Sequence, residues 1–396
     1  MFENKTIFIT GGTGSWGQEL ILQLLASSPK KIIVFSRNEE RQVQMRRQIE
    51  DPRLTFFIGD IRDRKALNTG LKGVDYVFHL AALKHVPVCE EQPLEALKTN
   101  VTGTENVIEA AIENGVKKVI NVSTDKAADP ANFYGMTKAI GEKLIVYANH
   151  LYSDTGFICV RGGNVLGSSG SVLQLFKDQI REKNQVAITD KRMTRFFLTK
   201  EKTIQLLLKA AESGQGGEIF IMNSPACKIL DMAEVLIEAY GNEITSIAET
   251  GARPGEKLHE LLISPHERQH AVSFTDDLAV VLPAIKMPEL HKKYADCQPL
   301  ETDNLSSKDF LISKESKRNA EKRRFFGLDG WIEAFTGNMR TDDKHGMRLQ
   351  AMLSFAPPKQ DKPGEKSPSQ PLCQCSSVNP SICSSTFFVR SITFSV

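Results

Sequence analysis

The chain is expected to fold as an α/β protein, a doubly wound parallel sheet with a smaller lobe of mixed structure behind it. Three observations predict this. Short apolar runs at 6–9, 31–35, 54–58, 76–80, 118–122 and 157–161 alternate with longer segments of helical period. The runs carry no charge at their centres, as strands covered on both faces require. A glycine-rich turn at residues 10–17 sits between the first run and the first helical pattern.

That turn reads TGGTGSWG and leads into Leu20, Ile21, Leu24 and Leu25. Strand, glycine turn and helix in that order aim backbone N–H groups at a pyrophosphate. Gly12, Gly14 and Gly17 fit G-x-G-x-x-G, whereas Gly11, Gly14 and Gly17 fit a looser G-x-x-G-x-x-G. Gly11, Gly14, Ser15, Trp16 and Gly17 are therefore candidate contacts to a dinucleotide. The second run ends in Ser36, Arg37 and Asn38, with Arg41 one helical turn on. An acid at this strand tip would favour NAD through the ribose 2′-hydroxyl; a guanidinium suits a 2′-phosphate. NADP is the expected cofactor, with Glu39 or Glu40 in an NAD-type role as the alternative. Asp60 and Ile61 follow the third run, placed for the adenine amino group and ring. Ala81 and Ala82 follow the fourth, where small residues let the backbone approach the cofactor.

The fifth run ends in Ser123-Thr124-Asp125-Lys126-Ala127. Ten residues later Tyr134 and Lys138 form Y-x-x-x-K, a spacing that puts both on one helical face. A free tyrosine, with a pKa of about 10, is a poor base at neutral pH. A nearby ammonium and a positive nicotinamide ring favour its phenolate, so Tyr134 can deprotonate a sugar hydroxyl. Simple oxidation or epimerisation leaves Asp125 and Lys126 without a task. A dehydration uses both. Once carbon 4 is a ketone the carbon-5 hydrogen is acidic, a base must take it, and an acid must protonate the departing 6-hydroxyl.

From about 166 to 315 the pattern is mixed, with helical stretches at 173–181 and 203–212 among Gly and Pro breaks. A substrate lobe partly returning to the main sheet is expected, after a dinucleotide domain at 1–165. Residues 316–396, charged and then dense in Pro, Ser, Lys and Gln, read as a disordered tail. A formal charge of +2 gives no reason to expect nucleic-acid or membrane partners. No apolar run is long enough to span a bilayer, and MFENKTIFIT lacks the pattern of a secretory signal. A cytoplasmic location is expected. Cys89, Cys159, Cys227 and Cys297 are scattered without metal-ligand spacing, and Cys373, Cys375 and Cys383 have no histidine nearby. No metal is expected.

Eight segments carry a family resemblance: TGGTGSWG (10–17), FSRNEER (35–41), GDIRD (59–63), HLAALKHVPVCE (79–90), STDKAADPANFYGMTK (123–138), RGGNVLGSSGSV (161–172), ITDKRMTRF (188–196) and RPGEKLHE (253–260). From about residue 3 to about 310 the chain resembles the short, C5-inverting UDP-N-acetylglucosamine 4,6-dehydratases. These belong to the extended short-chain dehydrogenase/reductase superfamily, which has a Rossmann fold. The resemblance implies a tightly held NADP that takes a hydride and returns it within each turnover. It implies Lys126 as the base at carbon 5, Asp125 as an aid to water loss from carbon 6, and Thr124 as an orienting hydroxyl. Tyr134 and Lys138 match the oxidation pair, Lys84 and Asn164 substrate contacts, and Val165 a cofactor contact. Arg195 and Arg253 are placed for the uridine diphosphate, a task that suits the guanidinium fork. A homo-oligomer and a UDP-sugar substrate are implied as partners. Tyr134, where retaining relatives carry Met, points to the inverting branch. Two departures are Gly162, where relatives often have an aromatic, and Trp16, where Phe is commoner. The tail does not resemble the family. A nucleotide-sugar 4-epimerase and a non-catalytic dinucleotide-sensing protein are the competing expectations.

Overall fold

A computed structural model describes residues 1–168, 170–300 and Ser307. Nine strands form the main sheet and five build two small ones. In chain order the strands are β1 (Thr6–Thr10), β2 (Lys31–Ser36), β3 (Leu54–Ile58), β4 (Tyr76–His79), β5 (Lys118–Thr124), β6 (Gly156–Gly162), β7 (Asn164–Val165), β8 (Gln185–Ile188), β9 (Thr194–Leu198), β10 (Ile219–Met222), β11 (Ala226–Lys228), β12 (Ser246–Glu249), β13 (Ala271–Thr275) and β14 (Leu278–Val281). The six apolar runs read from the sequence are β1 to β6, within a residue or two at each end.

The main sheet runs β13-β14-β10-β6-β5-β4-β1-β2-β3. The pairs from β3 to β10 are parallel, and β14 adds antiparallel pairs to β10 and β13. Strand order reverses between β1 and β4, and ligands bind such sheets in the crevice beyond that reversal. Alternation along each strand divides the core. On β1, Phe8 packs with Ile33, Phe35 and Val77 on one face, and Ile7 and Ile9 pack with Leu20, Leu24 and Phe78 on the other. A separate cluster of Phe176, Ile180, Val186, Ile188 and Met232 lies among the helices Val172–Lys183 and Ile229–Tyr240 and the pair β8–β12.

The chain after residue 166 feeds β10, β13 and β14 back into the main sheet. The helices expected at 173–181 and 203–212 run Val172–Lys183 and Lys200–Ser213. The charged and low-complexity segment at 316–396, with Cys373, Cys375 and Cys383, lies outside the described residues. No described helix is long and apolar enough to cross a membrane.

One buried ion cluster ties the return to the sheet. The side chain of Arg161, on β6, is fully buried. Its Nε and Nη2 donate to Glu142 at 3.0 and 2.6 Å, and Nη1 and Nη2 donate to Glu267 at 3.0 and 2.8 Å. Nη1 also donates to the Leu262 carbonyl at 2.8 Å. Burial pushes the Glu267 carboxyl up, but the Arg161 guanidinium more than offsets this and holds it below its ordinary 4.5. That contribution to stability is present above pH 4.5 and is lost as pH falls through the depressed native value. Breaking such a pair from one side strands a buried charge, at about 3–5 kcal/mol. Arg161→Met is therefore expected to lower the unfolding free energy by about that amount, read from urea denaturation at pH 7. The deficit relative to wild type should shrink as pH falls through the depressed native Glu267 value.

Candidate active site

Helix Ser15–Leu25 begins where β1 ends, with Gly14 as its N-cap and no side chain capping it. The first intrahelical bond is from Gln18 N to Gly14 O, so the N–H groups of Ser15, Trp16 and Gly17 have no partner within the helix. Glycine is required at two places here. Gly11 has φ +66°, and a Cβ on it would lie 2.9 Å from both N and Cα of Ala81. A Cβ on Gly17 would lie 2.2 Å from the Gly12 carbonyl oxygen. The turn is compressed against the β4 end, leaving an open backbone cradle that fits a dinucleotide pyrophosphate.

A cleft of about 620 Å³ extends from this cradle along the carboxyl rim of the sheet. It brings together Gly11, Gly14, Ser15, Trp16 and Gly17 with Ser36, Arg37, Arg41, Asp60, Ile61, Ala81, Ala82 and Val165. Thr124, Lys126, Tyr134, Lys138, Lys84 and Asn164 line the same cleft. Arg37 and Arg41 face it; Glu39 and Glu40 are not among its walls. Asp60 is largely engaged by Arg62, whose backbone N–H, Nε and Nη2 donate to it at 2.9, 2.9 and 2.7 Å, while Arg37 stands 3.7 Å away. Trp16 and Gly162 prove to be neighbours. A Cβ on Gly162 would lie 3.1 Å from Met222 Sδ and 3.9 Å from Trp16 Cη2, so indole and thioether occupy the space a side chain there would need.

Tyr134 and Lys138 lie on helix Phe133–Leu151, whose N-cap Asn132 accepts from Gly135 N at 2.8 Å. Burial pushes the Tyr134 phenol up to about 12, against the pull of Lys126 and a hydrogen bond with Thr124. The ammonium acting most strongly on the phenol is therefore Lys126; the sequence pointed to Lys138. Burial lowers the Lys138 pKa, with Cys159 and Glu142 acting the other way. Lys126 Nζ donates to Asp125 Oδ1 at 3.0 Å and stands 3.5 Å from Glu260 Oε1. Burial opposes its charge, but Asp125 and Glu260 outweigh that and raise its pKa above 10.5. In the free site Lys126 is an ammonium.

Three expected site residues sit elsewhere. Asp125 is fully buried behind the rim and does not line the cleft. Its Oδ1 accepts from Thr124 Oγ1 at 2.8 Å as well as from Lys126, and its Oδ2 has no partner. It reaches the cleft through those two neighbours. Arg195 does not line the cleft either. Its Nη1 donates to the carbonyls of Thr194 and Leu258 at 2.7 and 3.2 Å, and its Nη2 to that of Lys257 at 2.9 Å. The fork that suits a diphosphate is spent on the backbone, because the 257–258 turn presents carbonyls in its reach. Arg253 is exposed and outside the cleft walls. Asn100, not singled out from the sequence, pins the rim: it accepts from Leu83 N at 2.8 Å and donates to Leu83 O and Thr137 Oγ1 at 2.9 and 3.0 Å. It lies on a π-helical turn, Lys98–Thr102, and no pattern in the sequence marks it.

A glycine cradle at the switch point, joined to a Tyr-Lys pair on the following rim, defines a Rossmann-type protein of the extended short-chain dehydrogenase/reductase fold. A family profile described as "Polysaccharide biosynthesis protein" matches residues 7–281, and the chain belongs to that family. It is 44% identical over 290 residues to a Campylobacter jejuni UDP-N-acetylglucosamine 4,6-dehydratase (inverting), covering 72% of this chain and 85% of that one. It is also 46% identical over 286 residues to a Rickettsia felis protein named UDP-glucose 4-epimerase, covering 70% and 82%. Among solved structures, Pen from Bacillus thuringiensis superposes with a TM-score of 0.76 at 37% identity, covering 82% of this chain and 99% of that one. DesIV from Streptomyces venezuelae, a dTDP-glucose 4,6-dehydratase with NAD and TYD bound, superposes with a TM-score of 0.59 at 25% identity, covering 64% and 86%.

The cradle makes a sharp test possible. Gly17→Ala forces a methyl group onto the Gly12 carbonyl, so the affinity for NAD or NADP is expected to fall by about fivefold or more, as for an alanine-sized clash of roughly 1–3 kcal/mol. Titration calorimetry of the variant against wild type measures it.

Proposed function

We propose that this protein is a hydro-lyase that converts UDP-N-acetylglucosamine to a UDP-4-keto-6-deoxy-N-acetylhexosamine with inversion at carbon 5. The reading rests on one observation above all: an acid–ammonium pair, Lys126 at the rim and Asp125 buried behind it, stands beside the Thr124 and Tyr134 hydroxyls. The similarity to the inverting Campylobacter enzyme supports it. Bound along the cradle, a nicotinamide dinucleotide supplies a reversible hydride acceptor, as the NAD in DesIV suggests. NADP is the form favoured here, since Arg37 and Arg41 face the cleft at the β2 tip and Glu39 and Glu40 do not.

The chain's own residues handle the protons. Tyr134 takes the proton of the 4-hydroxyl, helped by the Lys126 charge near it. Lys126 cannot act as a base while it is an ammonium. Passing one proton across the 3.0 Å contact to Asp125 leaves a neutral amine beside a neutral carboxylic acid. That pair is what the elimination uses. The amine takes the carbon-5 proton. The acid, relayed through the Thr124 hydroxyl that bonds it, protonates the leaving 6-hydroxyl. Water leaves, the hydride held on the cofactor would return to carbon 6, and Lys126 then holds a proton for carbon 5, which inversion requires to arrive on the face opposite the one it left.

The UDP moiety is proposed to lie along the Asn164 end of the cleft, and the protein to work in the cytoplasm as a homo-oligomer, as the family resemblance implies. The Rickettsia names favour 4-epimerisation as a second reading. Incubation with UDP-N-acetylglucosamine separates the two by mass: the proposal expects a product lighter by one water, an epimerase an isobaric one. Lys126→Ala is expected to retain cofactor affinity and to lose activity by on the order of 100-fold or more, as for removal of a general base. Arg37→Ala is expected to weaken NADP by roughly tenfold, about the worth of one charge-assisted hydrogen bond, and to leave NAD unchanged, measured by calorimetry with each cofactor.

A further inference from the structure

Glu260 closes the segment 253–260, far in sequence from the Y-x-x-x-K helix. Its side chain is almost fully buried. Its backbone is fixed on both sides, with Glu260 N donating to Ser307 Oγ at 3.0 Å and Ser307 N donating to Glu260 O at 2.8 Å. One oxygen, Oε1, stands 3.5 Å from Lys126 Nζ and 3.9 Å from Arg195 Nε. The segment is clamped to the loop that carries Lys126. Lys257 Nζ pairs with Asp129 Oδ2 at 2.7 Å, and Asn132 Nδ2 donates to the Gly255 carbonyl at 3.0 Å.

From this geometry we infer that Glu260 is a positioning residue for Lys126: it reaches across from the 253–260 segment to hold the ammonium between itself and Asp125, at the cleft wall. The inference deepens the dehydratase reading and rests on it for its catalytic meaning. The charged and titratable groups around Nζ are Asp125 from the β5 end, Glu260 from the clamped segment, Arg195 from β9 and Tyr134 from the helix. Arg195 is held on three carbonyls and also stands 3.6 Å from Glu256 Oε1, which adds a third acid to the group. Glu260 therefore divides its charge between a fixed guanidinium and a lysine that must shed its proton during turnover. It keeps the lysine charged and in place until substrate arrives, and it sets how readily the proton moves to Asp125.

The test uses full-length protein with 13C-labelled lysine, following the Lys126 Cε resonance (assigned by its loss in Lys126→Arg) against pH. Glu260→Gln is expected to lower the Lys126 titration midpoint by roughly 1–3 pH units, as for loss of a close opposite charge. Glu260→Asp is expected to restore part of that shift. Glu256→Gln, which removes a carboxylate 3.6 Å from Arg195 in the same segment, is expected to leave the midpoint where it is. The alkaline limb of kcat against pH should move with the midpoint in Glu260→Gln, with KM changed less than kcat. An unmoved midpoint in a Glu260→Gln protein that still binds cofactor overturns the proposal. So does an equal shift in Glu256→Gln. A shifted midpoint in a protein whose wild type makes no dehydrated product leaves the Glu260–Lys126 coupling standing and removes the dehydratase reading instead.

Discussion

The close approach of the β1 turn to the end of β4 is the constraint on which the site depends. Thr10 Oγ1 accepts from the N–H groups of Leu80 and Ala81 at 3.1 and 3.2 Å, and Gly11 N donates to the Phe35 carbonyl at 2.8 Å. Only a residue without Cβ fits between them at position 11. This knot sits where strand order reverses, so helices leave the sheet in opposite directions on its two sides. The crevice between them is the mouth of the cleft. The candidate site residues follow the ends of β1, β2, β4 and β5, which pair in parallel register around that knot.

Burial decides the chemistry beyond the cradle. Water-poor surroundings raise the Tyr134 phenol, which by itself would leave a poor base at neutral pH, and they press the Lys138 ammonium down. Lys126 counters this. Two carboxylates keep it charged, and its charge is the strongest influence pulling the phenol back down. The partnerless Oδ2 of Asp125 belongs to the same arrangement. A buried carboxylate oxygen without a donor is costly.

Away from the rim the fold is held by ordinary means. Alternating apolar residues fill both faces of the sheet, and the Arg161 cluster joins β6 to helix Phe133–Leu151 and to the 262–267 segment. His79, buried between Thr10 and Thr104, is held neutral, with burial pressing its pKa down to about 3. It acts as a hydrogen-bonding spacer under the β4 end; nothing places it in the cleft.

The sequence by itself determined the strands β1 to β6, the cradle glycines and the Tyr134–Lys138 face. Each of these is a local matter of alternation, turn conformation or helical spacing, which neighbouring residues impose on one another. It also placed Lys126 at the rim, since a residue just past a parallel strand has nowhere else to go. Tertiary structure alone decided what long-range packing controls. Asp125 lies buried behind the rim, its Oδ1 accepting from both Thr124 and Lys126. Arg195 was captured by the carbonyls of Lys257 and Leu258, more than sixty residues away. Asn100 and Glu260 gained their roles from contacts with Leu83 and Lys126 that no spacing along the chain encodes. A motif reports which side chains are available, and only the packed fold decides which partner each one meets first.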